Sequence, residues 1–278
     1  MEEIFAKSLL STHNSIDLWR LYLKYVRQTN AFVAGEEAQE QKNKKNLVLK
    51  AFEAAVAAVG FSHLSGALWG DYIAYVKEVP ADSFYEEQQK MDSLRKLYHR
   101  AIAIPNSHLE IIWKEYDSFE NGLNSLTAKK ILGEKSAGYM NARACFRELS
   151  NLLSDIKFGL PPVPLAQTTS EHRKQLSHWN KLLEWEKGNP LQVEDTAFLH
   201  ARVLYWYKVA ISFLRFHPQI WFSVASYLIG VGKAEEAASI FGEATKVLPD
   251  SLWCISVMLI LKRTMGSSLL RKLSMKTC

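Results

Sequence analysis

The sequence is poor in turn formers. Its 278 residues include 13 glycines and 8 prolines, below the roughly 12% that these two contribute together in an average chain. Few breakers mean few turns and long elements. Cysteine is scarce too. Cys145, Cys254 and Cys278 are odd in number and far apart, which argues against a disulfide framework and for a reducing compartment. No apolar run reaches the ~20 residues that a membrane span needs: the most apolar window, 251–261, stops at Lys262-Arg263. Met1-Glu2-Glu3-Ile4 has neither the basic nor the apolar stretch of a signal peptide. A soluble, intracellular chain is therefore expected. No segment alternates with period two, so no sheet is expected either. Acid is missing altogether after Asp250, where Lys262, Arg263, Arg271, Lys272 and Lys276 carry the whole net charge of +5. The rest of the chain is balanced, and the basic pI alone is no argument for nucleic acid.

Aromatic residues are plentiful, with 8 Trp, 11 Tyr and 13 Phe, in a chain that is 48% apolar and 23% charged. That is ordinary globular composition for one or two domains. Six of the tryptophans open near-copies of one phrase, in which an apolar residue and Trp are followed at i+3 and i+6 by bulky residues. The copies are Trp19/Tyr22/Tyr25, Trp69/Tyr72/Tyr75, Trp113/Tyr116/Phe119, Trp179/Leu182/Trp185, Trp221/Val224/Tyr227 and a last one at Trp253. Positions i, i+3 and i+6 share one helical face, so each phrase predicts an amphipathic helix with a bulky stripe. Between the phrases lie Ala-containing segments such as Leu49–Val56, Leu97–Ile102, Tyr207–Ile211 and Phe241–Thr245, where small residues permit close helix approach. An irregular period of 32–66 residues fits stacked helical hairpins with insertions in their loops.

The expected fold class is all-α, an α-α superhelix of helical-hairpin repeats. The pattern predicts a leading helix at 3–11, then pairs at 15–28/40–59, 65–78/83–103, 107–121/125–155, 172–187/193–215 and 218–230/233–247, with a final helix from about 250. The polar stretch 35–45 reads as a loop or frayed helix start. The expected organisation is a first repeat block over 1–157, a linker over 158–170 containing Pro161, Pro162 and Pro164, further repeats over 171–261, and a basic, disordered tail over 262–278. Trp69, Trp113, Trp179 and Trp221 are expected to be buried, with Trp206 off the motif and less diagnostic.

The Trp-x-x-Tyr-x-x-Tyr helix paired with an Ala-centred helix resembles the half-a-TPR (HAT) repeat. The wording of Ile16–Arg27, Ser136–Arg143, the proline break at 161–164 and Trp179–Leu191 is similar to the suppressor-of-forked family over roughly residues 2–250. That family supplies the large scaffold subunit of cleavage stimulation factor. The resemblance implies a nuclear, non-catalytic scaffold in pre-mRNA 3′-end cleavage and polyadenylation, with other subunits of the processing complex as partners; pre-mRNA is a further candidate partner. It implies no cofactor. Against the family pattern the chain opens in the second helix of a repeat and lacks the later repeats through which the family dimerises, so a monomer is expected. The tail beyond about 254 departs from the family, as a shifted reading frame or a retained intron would make it.

Catalytic chemistry finds no foothold in the pattern. Gly230-Val231-Gly232-Lys233 lacks the spacing and the preceding strand of a phosphate loop. The eight histidines form no metal-ligand motif, and no Ser or Cys sits in a nucleophile elbow. No membrane association is expected. Lys129, Lys130, Lys135, Arg143 and Arg147 are the candidate RNA contacts, since clustered bases can neutralise phosphates. Two other functions stay open beside the 3′-end scaffold: a direct RNA-binding module, and a HAT-repeat scaffold of another RNA complex, such as the spliceosome or a ribosome-assembly particle.

Overall fold

A computed structural model describes residues 2–31, 37–81, 83–249, 251 and 256. Among them the chain forms ten α-helices, one short 3-10 turn and no strand. No helix among these residues is long and apolar enough to cross a membrane. Trp253 and the tail lie outside the described residues. The chain divides into two compact units, one of residues up to 153 with 189–194, the other of 154–188 with the residues from 195 onward.

The first unit begins with α1 (Glu2–Ser11), followed by the pairs α2 (Ile16–Thr29) with α3 (Ala38–Val59) and α4 (Gly66–Glu78) with α5 (Phe84–Ile102). Consecutive helices pack on each other from α1 to α5. Starts are set by caps: Ser15 accepts from Leu18 N and Ser83 from Glu86 N, satisfying N–H groups that a helix leaves unpaired. One face of α3 supplies Val48, Phe52, Ala55 and Val59, all fully buried, at the spacing of a core stripe. Residues 38–45, in the stretch expected to be loop or frayed, are helical.

The expected third pair is α6 (Leu109–Ser154), whose two arms meet at Asn124 with only that residue extended, at φ −162° and ψ 106°. Its side-chain oxygen accepts from Leu126 N at 2.9 Å and so starts the second arm. One extended residue replaces the three-residue turn expected there. The segment 189–194 completes this unit: Asn189 brackets Val193 with two hydrogen bonds, and the buried Cys145 thiol donates to the Pro190 carbonyl at 3.1 Å.

The second unit contains α7 (Ser170–Lys187), α8 (Thr196–Leu214), α9 (Pro218–Gly230) and α10 (Ala234–Val247). α7 packs on α8, α8 on α9 and α9 on α10. Thr169 and His172 form a reciprocal cap at the start of α7, and Asp195 caps α8. Pro218 occupies the first turn of α9, where its missing N–H costs nothing. Residues 158–164 have no regular structure. Gly232, at φ +79°, makes the turn between α9 and α10 that the glycines there imply.

Candidate functional site

One contact recurs where successive hairpins of the first unit meet. The helix preceding each Trp helix offers one ring to the i+3 and i+6 aromatics. Phe5 of α1 lies 5.5 and 5.4 Å from Tyr22 and Tyr25 of α2. Phe52 of α3 stacks on Tyr72 of α4 at 4.7 Å and meets Tyr75 at 5.4 Å. Tyr98 of α5 meets Tyr116 and Phe119 of α6 at 5.4 and 5.5 Å. In the second unit Tyr207 of α8 and Tyr227 of α9 keep a looser version, at 6.1 Å. Such pairs contribute about 0.5–1.5 kcal/mol beyond the area they bury.

The tryptophan has a separate task. Its indole N–H donates to a carbonyl in the turn before its own helix: Trp19 to His13 at 3.0 Å, Trp69 to Gly60 at 3.2 Å, Trp221 to Arg215 at 2.8 Å. Helix ends leave carbonyls without partners, and the indole supplies the donor. At the third hairpin Asn106 does this instead, donating to Ala101 and Ile104 at 3.2 and 2.8 Å. Trp113 is accordingly only half-buried and stacks on Tyr139 at 4.4 Å, unlike Trp69, Trp179 and Trp221, which are buried as expected. Trp179 stacks on Phe213 at 5.7 Å. Leu182 and Val224 are buried beside their motif partners, and Trp185 is half-buried.

Polar groups bind the helices further. Arg100 of α5 grips Glu53 of α3 through two hydrogen bonds, at 2.7 and 3.0 Å, and lies over the Trp69 ring. Tyr72 donates to the same carboxylate at 2.8 Å. The Arg100 guanidinium holds the Glu53 carboxyl below its ordinary value against the opposing effect of burial, and Tyr72 adds to the lowering. The His99–Tyr116 contact at 2.7 Å occupies the corresponding place one hairpin on. In the second unit Arg202 of α8 meets Glu186 of α7 through two bonds with both side chains sealed from solvent. Burial pushes the Glu186 carboxyl up, opposed by the Arg202 guanidinium. Trp206 is fully buried, more central than its place off the motif suggested.

What stays open is the outer face of the Trp helices. Arg20 and Arg27 of α2 bridge to Asp71 and Glu78 of α4, and Lys77 of α4 bridges to Glu115 of α6. Between these bridges run grooves. One of about 800 Å³ is lined by Arg20, Leu21, Lys24, Gln28 and Asp71. Another, of about 480 Å³, has Lys77, Ile111, Lys114 and Phe119 along it. Leu21 and Ile111 are exposed there. No group of three or more His, Cys, Asp or Glu among the described residues is placed to hold a metal ion.

The five candidate RNA contacts all fall on the second arm of α6 but do not form one patch. Lys129 and Lys130 are exposed near its start, Lys135 is half-buried, and Arg147 is exposed near its end. At 1.5 Å per residue, Lys129 and Arg147 are about 27 Å apart along the helix. Arg143 is committed to Glu110 at 2.7 Å.

The model of the suppressor-of-forked protein family matches residues 1–259. The chain belongs to that family. Among suppressor-of-forked relatives, an mRNA 3′-end-processing protein RNA14 of Cryptococcus neoformans is 38% identical over 257 residues, 90% of this chain and 24% of the relative. Cleavage stimulation factor subunit 77 of Arabidopsis thaliana is 34% identical over 250 residues, 90% of this chain and 33% of the relative. The crystal structure of CstF-77 matches with a TM-score of 0.63 at 20% identity, over 88% of this chain and 47% of that one, a likeness of fold. The chain thus spans a quarter to a third of the curated suppressor-of-forked relatives that it matches. Within this framework, sequence reasoning located the motif aromatics but missed Asn106, Trp206 and the Glu186–Arg202 pair. The only signal for that pair was two charges set among Trp and Tyr.

Proposed function

We propose that this chain is part of a non-catalytic scaffold for pre-mRNA 3′-end cleavage and polyadenylation, working in the nucleus and binding other processing factors through its repeat surface. The observation that carries the reading is how the motif side chains are used. Aromatic, indole and carboxylate groups are consumed in tying helix to helix, while the accessible grooves offer Leu21 with Lys24 and Ile111 with Lys114. Mixed apolar and cationic grooves suit peptide segments of partner proteins. The names of the relatives supply the process.

The test is capture of purified 3′-end-processing subunits by this chain, against a variant carrying Leu21→Asp, Lys24→Glu, Ile111→Asp and Lys114→Glu. Retention by the parent and loss by the variant, at equal melting temperature, supports the reading. Equal retention by both removes the grooves from it. Exposed Lys129 and Lys130 favour a second reading, a weak auxiliary contact with RNA phosphates.

A further inference from the structure

The two units treat the charges on their Trp helices differently. In the first unit, acids of the next Trp helix match Arg20, Arg27 and Lys77: they are Asp71, Glu78 and Glu115 in turn. In the second unit the successive Trp helices are α7 and α9. α7 exposes Arg173, Lys174 and Lys181, while α9 contains no charged residue at all. The acids of α7 itself are taken, Glu171 by Lys157, Glu184 by Lys187 and Glu186 by Arg202. Among the described residues, no carboxylate lies within ion-pair distance of Arg173, Lys174 or Lys181.

These cations stand in a row with other donors. Residues 173, 177 and 181 follow one another at four-residue steps along one helical face. A shallow groove of about 560 Å³ runs along them, lined by Arg173, Leu176, Ser177, Asn180, Lys181 and Glu184. Ser177 and Asn180 are exposed and set a hydroxyl and an amide donor between the two charges. Four residues of helix rise about 6 Å, close to the step between consecutive phosphates of an extended single strand. The face has no apolar anchor: Trp179, Leu182 and Leu183 are turned inward and buried, and α7 carries no exposed large apolar side chain.

We propose that the outer face of α7 binds the sugar–phosphate backbone of a single-stranded RNA segment. A row of cations neutralises successive phosphates, and Ser and Asn side chains donate to phosphate and sugar oxygens. A protein partner draws most of its affinity from buried aromatic and apolar anchors, which this face does not expose. A phosphate backbone needs none. The contacts reach the backbone alone, so binding is indifferent to the order of the nucleobases. The proposal holds whether or not the α2–α6 grooves bind processing factors, and it shares no residue with them or with the cations of α6.

The experiment measures binding of a labelled decauridylate to the full chain by fluorescence anisotropy over a range of salt, with decaglutamate as competitor. One variant combines Arg173→Gln, Lys174→Gln and Lys181→Gln, all exposed positions where melting should hold. A control combines Lys42→Gln, Lys50→Gln and Lys96→Gln, exposed positions of α3 and α5, and removes the same charge elsewhere. Ser177→Glu sets an acid into the row without removing a cation. The α7 triple is expected to weaken binding about tenfold or more at low salt. Its slope of log affinity against log salt should fall by about 0.7 for each cation that contacts phosphate. Ser177→Glu should weaken binding too, and the control should leave affinity and slope nearly unchanged. No binding by the parent, an unchanged slope in the α7 triple, an equal loss in the control, or displacement by decaglutamate at equal concentration would each overturn the assignment.

Discussion

Arg202 and Glu186 face each other across α7 and α8 at 2.7 and 2.8 Å, with 2% and 0% of their side chains exposed. The Trp185 ring lies 6.0 Å from the guanidinium. A buried ion pair is not in itself strong evidence of stability, but losing one member strands the other.

Arg202→Met or Glu186→Leu alone is therefore expected to destabilise the second unit by about 3–5 kcal/mol, and the double substitution to recover most of that loss. Urea denaturation of the three variants checks it. Additive losses in the double variant would show that the two charges act separately.

The tryptophans should fall into two groups. Trp69→Ala and Trp221→Ala remove both a buried ring and the donor to the preceding turn, and should cost about 3–5 kcal/mol. Trp113→Ala should cost less, because its ring is half-exposed and Asn106 already serves the turn. Asn106→Ala should then be nearly as damaging as the loss of an ordinary buried hydrogen-bonding group, about 1–3 kcal/mol. Thermal melting of the four variants decides, and equal losses at 69, 113 and 221 would contradict the division.

Acidification should weaken the fold before the carboxylates titrate. His63, His99 and His217 are all held below the ordinary 6.5, chiefly by burial. The unfolded chain then binds more protons than the folded one below about pH 6.5, so stability is full above that value and declines as the pH falls. The Glu53 contribution, with its carboxyl lowered by Arg100, is lost only at more acid pH. Melting temperature measured from pH 7.5 to 5 should fall, and His99→Gln should flatten the curve. A temperature constant over this range would sink the account.

RNA binding, measured with a single-stranded oligonucleotide, is expected to be weak and indifferent to sequence. Replacing Lys129 and Lys130 with Ala should reduce the slope of log affinity against log salt by about 0.7 per lysine that contacts phosphate. An unchanged slope would remove both residues from any RNA path.

The helices were legible because Trp, Tyr and Phe recur at i, i+3 and i+6, and burial of a stripe at that spacing needs only local information. Phe5, Phe52 and Tyr98 were harder to single out, since a ring on the preceding helix gains meaning only when the next hairpin docks. Asn124 shows another limit. With Gly122 nearby the stretch reads as a turn, but the Asn side chain caps the second arm so tightly that one extended residue is enough. The Glu186–Arg202 pair joins residues from different helices, a relation that helical periodicity does not encode. Leu21 and Ile111 lie off the stripe of Trp, i+3 and i+6, and only the position of the neighbouring helix reveals them as groove walls.

Arg20 and Arg27 are two helical turns apart on α2, and so are their partners Asp71 and Glu78 on α4. Exposed bridges of this kind contribute little energy, yet together they act as a vernier: sliding α4 by one turn against α2 would break both. The Trp helices are thus indexed to one another directly, without reference to the length of chain that joins them. Within the first unit, insertions in the intervening loops leave the phase of the next Trp helix untouched.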